Sequence, residues 1–313
     1  MLSFVFTDIN DERVTLNNPI YAVINQDEKI PADDLTVTFP YIENLSELSV
    51  VEVYDGDKIV FKGVVDEQQS VLGVKEYYTR ISARSMAAVL LDNESRPVNY
   101  TKPTTSVIFE KHLSPNSITK YKGEEKALNE NLNVPKGTSD WQVFYNFCIK
   151  AFNRAPRIEA DGTASFIGVN SDDKVLFSNN GGVSYNSIKE NIKRCKLISD
   201  VNVKAGNSGY NMVINDKSIK DRKIKRKRYY DASVNKDFTV PDIMIRNSID
   251  NSYEVTVVSP KRIIDKLGAK AEIENEKIGT IKGLYISSVY YRLTPEKEET
   301  TLILKKEREY VDS

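Results

Sequence analysis

A single histidine, His112, and two cysteines, Cys148 and Cys195, supply all the imidazole and thiol chemistry of 313 residues. Zinc centres need several His or Cys ligands at short spacings, so these three scattered residues exclude one. A disulfide scaffold is excluded with it. Any Ser/His/Asp or Cys/His nucleophile would have to use His112. That residue closes a predicted helix, where a cation suits the helix dipole and needs no catalytic explanation. Cys148 falls in an apolar helical stripe and reads as a small core residue. Cys195 lies among Lys193, Arg194 and Lys196, a basic setting of the kind that activates thiols; a partly buried thiol in a charged strand is the plainer reading.

Carboxylates are paired at Glu124-Glu125 and Asp172-Asp173. Glycoside hydrolysis needs two carboxyls across a cleft, a distance set by the fold and not by adjacency. Both pairs stand in polar, loop-like sequence and read as solvated surface. Asp55-Gly56-Asp57 resembles part of a calcium loop but lacks the later acidic ligand. Neither GxxxxGK[ST] nor GxGxxG occurs. The loudest feature is basic: Lys217 to Arg228 carries eight Lys or Arg in twelve positions, and Tyr229-Tyr230 follow directly. Cations beside aromatics can hold phosphates and stack bases, so nucleic-acid binding through 217–230 is one reading. A solvated strand and loop, or a contact with an acidic protein surface, is the other.

The elements that would carry these residues are mostly strands. Phe4 to Phe6, Val14 to Leu16, Tyr21 to Ile24 and the alternating Leu35, Val37, Phe39 open the chain. Val50 to Val53, Asp55-Gly56 and Ile59 to Phe61 form a hairpin signal, because Asp-Gly suits a tight primed turn. Gly63 to Val65 and Tyr77 to Ile81 add further strands. Ser85 to Leu91 predicts a short helix capped by Ser82 or Ser85. Thr104 to Leu113 predicts a second, ending before Pro115. Thr138-Ser139-Asp140 caps the best helix, in which Trp141, Phe144, Tyr145, Cys148 and Phe152 make one apolar stripe. Asp161-Gly162 marks another hairpin. Strands return from about Val183, with a short helix expected over Pro260 to Leu267, stopped by Gly268, and a closing hairpin, Leu284 to Leu293 with Thr300 to Leu304.

Length and charge fit several units. At about 150 residues per domain the chain holds two or three. The first hundred residues carry a net charge of −9 and the remainder +8, although the whole is balanced at −1. Such asymmetry points to separate domains or to faces with different partners. Apolar residues make up 40% and charged residues 28%, an ordinary globular composition. The opening MLSFVFTDINDERV lacks the pattern of a signal peptide, and no run approaches a membrane helix, so a soluble, cytoplasmically made protein is expected.

Two stretches carry a family resemblance. One is Ile81-Ser-Ala-Arg-Ser-Met-Ala-Ala-Val-Leu-Leu-Asp92, with Arg96-Pro-Val-Asn-Tyr100 and Thr104 to Phe109. The other runs from Trp141 through Phe147 to Phe152, Pro156 and Asp161-Gly162 to Phe166. It continues through Ile188 to Cys195 into Ile198 to Val203. Together with the closing hairpin they resemble the hub proteins of contractile phage tails, the family of late control protein D and the hubs of phage-like bacteriocins. The resemblance implies a β-rich α+β chain: a first small antiparallel β-barrel domain over 1–95, a mixed α/β domain over 96–183, and a second barrel over 184–313 with a short helical insertion.

It also implies a homotrimer in which six barrels form a pseudo-sixfold ring, joining a sixfold tail tube to a threefold central spike. No catalytic residue, metal or cofactor follows from it. The implied partners are the tail tube protein, the central spike protein, baseplate wedge proteins and the tape measure protein. There is no membrane insertion, and nucleic acid only passes through the channel if the particle is a true phage. Assembly would take place in the bacterial host cytoplasm, before release of the virion or phage-tail-like particle. Lys225, Arg226, Lys227 and Arg228 are then expected at contacts between subunits. A nucleic-acid-binding protein using 217–230, and a wall-degrading hydrolase carried on a tail, are the readings from other classes.

Overall fold

A computed structural model describes residues 2–169, 171–206, 209–232 and 240–307. Seven strands come first: β1 (Leu2–Asp8), β2 (Arg13–Leu16), β3 (Tyr21–Asp27), β4 (Asp34–Pro40), β5 (Leu48–Asp55), β6 (Lys58–Leu72) and β7 (Tyr77–Ser85). Alternation drives one face of each inward. Phe4, Phe6, Ile24, Val37, Phe39, Val53, Phe61 and Ile81 share one core. The β5–β6 hairpin turns one residue later than Asp55-Gly56 implied: Asp55 pairs with Lys58, so Gly56 and Asp57 are its centre. Gly56 has a φ of 63° and Asp57 does not share it, which is the glycine-first primed turn.

The middle of the chain holds α1 (Ala87–Asp92), β8 (Val98–Tyr100), α2 (Thr105–Ile108), β9 (Tyr121–Lys122), β10 (Leu132–Val134), α3 (Asp140–Phe152), β11 (Arg157–Ile158) and β12 (Ala164–Ser165). No serine side chain caps α1; Ser85 ends β7, and its hydroxyl accepts the Asp33 N–H at 3.0 Å. Thr104 does cap α2, which then widens into a π turn over Phe109–Leu113. Ser139 caps α3 by accepting the Gln142 N–H. Within α3 the buried stripe is Val143, Phe144, Phe147, Cys148 and Ala151, with Trp141 at its start, and Tyr145 faces outward. Phe144 and Phe147 pack edge-on against Phe166, the centre of this second core.

The remaining elements are β13 (Lys174–Phe177), β14 (Ser187–Ile192), β15 (Asp200–Lys204), β16 (Met212–Asn215), α4 (Lys217–Asp221), β17 (Lys227–Asp231), α5 (Val240–Asp250), β18 (Tyr253–Ser259), β19 (Lys270–Asn275), β20 (Gly279–Leu293) and β21 (Glu298–Lys306). Strands β16-β15-β17 make a small separate sheet, whose Val201 and Val203 share a core with Ile219 and with Ile245 of α5. The helix expected over Pro260 to Leu267 does not form. Tertiary contacts override local spacing there. Arg262 is held by Asp55 at 2.7 Å and Glu298 at 2.6 Å, while Ile264 enters the first core.

Thirteen strands form one sheet, in the order β14-β18-β21-β20-β3-β4-β7-β6-β5-β1-β2, with β19 on the first half of β20 and β13 beside β19. The fold is thus β-rich and dominated by this largely antiparallel sheet. Its two ends wrap separate cores, the second built on Val255, Val257, Ile273, Ile286, Leu302 and Leu304.

The two ends repeat one another. Strands β5-β6-β7 and β19-β20-β21 are three-stranded meanders, each with a long middle strand. Strands β20 and β21 begin and end at a constant offset of 221 positions from β6 and β7 (58 to 279, 72 to 293, 77 to 298, 85 to 306). The return turns match, Gly73 N–H to Glu76 O at 2.7 Å and Thr294 N–H to Lys297 O at 2.9 Å. Both ladders slip by one residue at the same place, between Val65 and Glu67 and between Ile286 and Ser288. A buried threonine recurs too: Thr79 accepts the Ile42 N–H and Thr300 the Ile263 N–H, each at 3.1 Å. Beside each β6-like strand the order continues alike, β7-β4-β3 in one half and β21-β18-β14 in the other.

Candidate interaction surface

His112 is buried in the π turn and does not serve as an exposed cation at a helix end. Its Nδ1 lies 2.8 Å from Asp140 Oδ1 and 3.2 Å from Ser95 Oγ, and its Nε2 lies 3.1 Å from the Tyr100 hydroxyl. Ser95 donates to Asp140 at 2.5 Å, and the Asn116 amide donates to the other carboxylate oxygen at 2.9 Å. A hydrolytic triad sets the carboxylate and the nucleophile on opposite ring nitrogens. Here both meet Nδ1, so the cluster is a closed polar network tying α3 to the segments before it. Burial pushes the Asp140 carboxyl up, but the hydrogen bonds from His112, Ser95 and Asn116 outweigh it and hold the group below its ordinary range.

The other chemistry-bearing residues are dispersed. Cys148 is buried, and desolvation pushes its thiol up. Cys195 is exposed in a single 3-10 turn. Glu125 accepts the Ser106 N–H and hydroxyl at the start of α2, and Asp173 pairs with Lys266 at 2.9 Å. A cleft of about 570 Å³ opens where the first end of the sheet meets the middle of the chain. Its lysines already have partners, Lys58 with Asp265 and Lys122 with Glu159, both at 2.6 Å. Among the described residues, no group of three or more His, Cys, Asp or Glu side chains is gathered as a metal cage.

The basic segment spans α4, a turn and β17, on the small sheet. Lys220 pairs with Asp200 at 3.1 Å. Arg226 turns inward and donates to the Leu197 carbonyl at 2.6 Å, closing the segment onto its own sheet. Lys225, Lys227 and Arg228 remain exposed. Tyr229 also stands out, edge-on to Tyr210 at 5.1 Å, and Val213 of β16 is exposed in line with it across β15. Lys227, Tyr229 and Val213 therefore share one face of the small sheet.

Sequence reasoning missed a second kind of surface, the strand edges. Beyond Asp66 the outer edge of β6 carries no paired strand among the described residues, and neither does the outer edge of β14. Leu72, Val74 and Tyr77 cluster exposed at the end of β6, and Ile192 is exposed at the end of β14. Open edges with apolar side chains are templates for pairing. Only the register could have revealed them. What these surfaces can do is bind other chains.

No family model matches the chain, and no curated protein matches its sequence. Solved structures do. A tail protein from Neisseria meningitidis MC58 superposes with a TM-score of 0.75 at 15% identity, covering 97% of this chain and 96% of its own. The 43 kDa tail protein of prophage MuSo2 from Shewanella oneidensis gives 0.74 at 13% identity, covering 97% and 98%. A type VI secretion component of E. coli, described as similar to the T4 tail proteins gp27 and gp5, gives 0.54 at 11% identity, covering 95% of this chain and 76% of its own. The chain therefore has the fold of these phage tail proteins, in line with the phage-tail resemblance its sequence carries.

Proposed function

We propose that this chain is a structural, non-catalytic hub of a contractile phage tail or phage-tail-like particle, acting as a trimeric adaptor between tail tube and central spike. One observation carries the reading: the likeness to two tail proteins runs end to end, over at least 96% of each chain. The internal repeat supports its mechanism. A chain that carries the same meander twice presents two near-equivalent units, so three copies present six. A threefold assembly can then meet a sixfold tube on one side and a threefold spike on the other. The two ends of the sheet are the proposed ring barrels, and the middle of the chain lies against the first of them.

Tail tube, spike, wedge and tape measure proteins are the proposed neighbours, and the released particle the proposed location. Lys225, Lys227 and Arg228, exposed on the chain, are the proposed contacts to acidic surface on a neighbouring copy, and the net −9 of the first hundred residues supports that reading. Immunogold microscopy of sedimented particles from induced source cells tests the reading. Gold at one end of tail-like rods is expected. Gold confined to the soluble fraction, with unlabelled tails present, would overturn it.

A further inference from the structure

Within the chain the two repeats are joined at one seam. The outer half of β20 pairs antiparallel with β3, from Ser288 opposite Asp27 to Leu293 opposite Ala22. Under the repeat, the outer half of β20 corresponds to β6 from Glu67 to Leu72, and β3 corresponds to β14. Those two counterparts are the two open edges. Each chain thus uses one seam internally and carries both halves of a second seam unfilled.

We infer that β6 of one copy pairs antiparallel with β14 of the next copy, reproducing the β20–β3 seam between chains. The repeat also sets the register. Val37 of β4 lies opposite Ile81 and Ala22, and Val257 of β18 lies opposite Leu302 and Ile188, so Ile188 takes the place of Ala22. Leu293 faces Ala22, so Leu72 faces Ile188; Tyr290 faces Asn25, so Gln69 faces Asn191. Gln68 is engaged locally, its side chain donating to the Ser46 carbonyl at 3.1 Å and accepting the Leu48 N–H at 3.0 Å. Gln69 to Leu72 is the open stretch.

The occupant is a second copy of this chain because the complementary edge is one the chain itself carries. One intact seam of the same kind already shows that such edges fit. In the internal seam Tyr291 is buried and Leu293 half-buried, whereas their counterparts Ser70 and Leu72 are exposed. Leu72 opposite Ile188 gives the second seam an apolar contact. The pairing is head-to-tail, so it closes into a ring when the rotation closes. With the trimer proposed above, which this inference deepens, three such seams alternate with three internal ones.

Cysteine crosslinking in the full chain tests the register. Facing residues of an antiparallel pair lie within disulfide reach. The parent variant carries Cys195→Ser, which removes the exposed thiol. Gln69→Cys with Asn191→Cys is expected to give bands of two and three chain masses on oxidation. Asn25→Cys with Tyr290→Cys, the matching internal pair, is expected to crosslink within one chain and add no band. Ser70→Cys with Ser187→Cys, out of register, is expected to give no band of more than one chain. A trimer by light scattering in which the internal pair closes and the 69/191 pair does not would overturn the seam and leave the hub reading intact. A chain that crosslinks at 69/191 but never labels tail ends would uphold the seam and overturn the hub reading. A monomer that gives no band of more than one chain would overturn the seam.

Discussion

Arg157, on β11 in the middle of the chain, reaches into the loop between β3 and β4. Its Nη2 donates to both carboxylate oxygens of Asp33, at 2.5 and 2.6 Å, and its Nη1 donates to the Asp27 carbonyl at 2.8 Å. Arg157 is 5% exposed and Asp33 3%. Replacing Arg157 with methionine keeps much of the volume and removes every donor, stranding a buried carboxylate. Breaking a buried pair from one side costs about 3–5 kcal/mol. For 313 residues melting as one unit, with an unfolding entropy near 2.1 cal/mol/K per residue, the expected fall in melting temperature is about 5–8 °C.

Adding Asp33→Asn to Arg157→Met removes the uncompensated charge, so the double variant should recover at least half of the loss. Scanning calorimetry of the wild type, both single variants and the double variant closes the cycle. A drop below about 1 °C for Arg157→Met, or a double variant that loses the sum of both singles, would refute the clamp.

Thr79→Val and Thr300→Val each leave one buried N–H without its acceptor, and each should cost about 1–3 kcal/mol. Urea unfolding should show a loss for both, the larger at Thr300, whose hydroxyl also donates to the Lys261 carbonyl at 2.7 Å; a large loss for one and none for the other would contradict the shared contact. Asp140 is held below its ordinary range in the folded chain. Its contribution to stability is therefore present above the unfolded carboxyl value near 4 and lost as pH falls through the lower folded value. Asp140→Asn should flatten the acid limb of a melting-temperature profile, and an unchanged limb would count against the network. Replacing Lys225, Lys227 and Arg228 with serine should weaken self-association at low salt. The gap to the wild type should close as salt screens the charges, and sedimentation velocity over a salt series would detect a gap that persists.

Strand positions were legible in the sequence because each half-buried strand writes its own alternation. Leu35, Val37 and Phe39 needed no knowledge of their partners. The repeat was not legible. Between β6-β7 and β20-β21 only Leu72/Leu293 and Thr79/Thr300 are identical at the matching offset, since a ladder constrains backbone and register and leaves most side-chain identities free. Local spacing misread Pro260 to Leu267 because Arg262 and Ile264 answer to partners more than thirty residues away. It misread Tyr145 because the choice between two faces of an apolar helix belongs to the neighbours, Phe166 above all. His112 looked peripheral because the sequence separates it from Ser95 and Asp140, and only the fold brings the three together. The cations of 217–230 were plain to see, but that Arg226 is consumed by its own backbone was not.

The internal seam also has a place in time. β3 is made early and its partner in β20 near position 290, so at about 5–20 residues per second roughly 13–50 s of synthesis separate them. Through that interval the first half holds most of its core but keeps β3 open, with the unpaired N–H and C=O edge of Tyr21–Asp27 facing solvent. Every nascent chain on one messenger passes through the same state, and any β20 matches any β3. The wrong product favoured by crowding such chains is therefore an exchange of closing hairpins between neighbours, native in every hydrogen bond and incorrect only in connectivity.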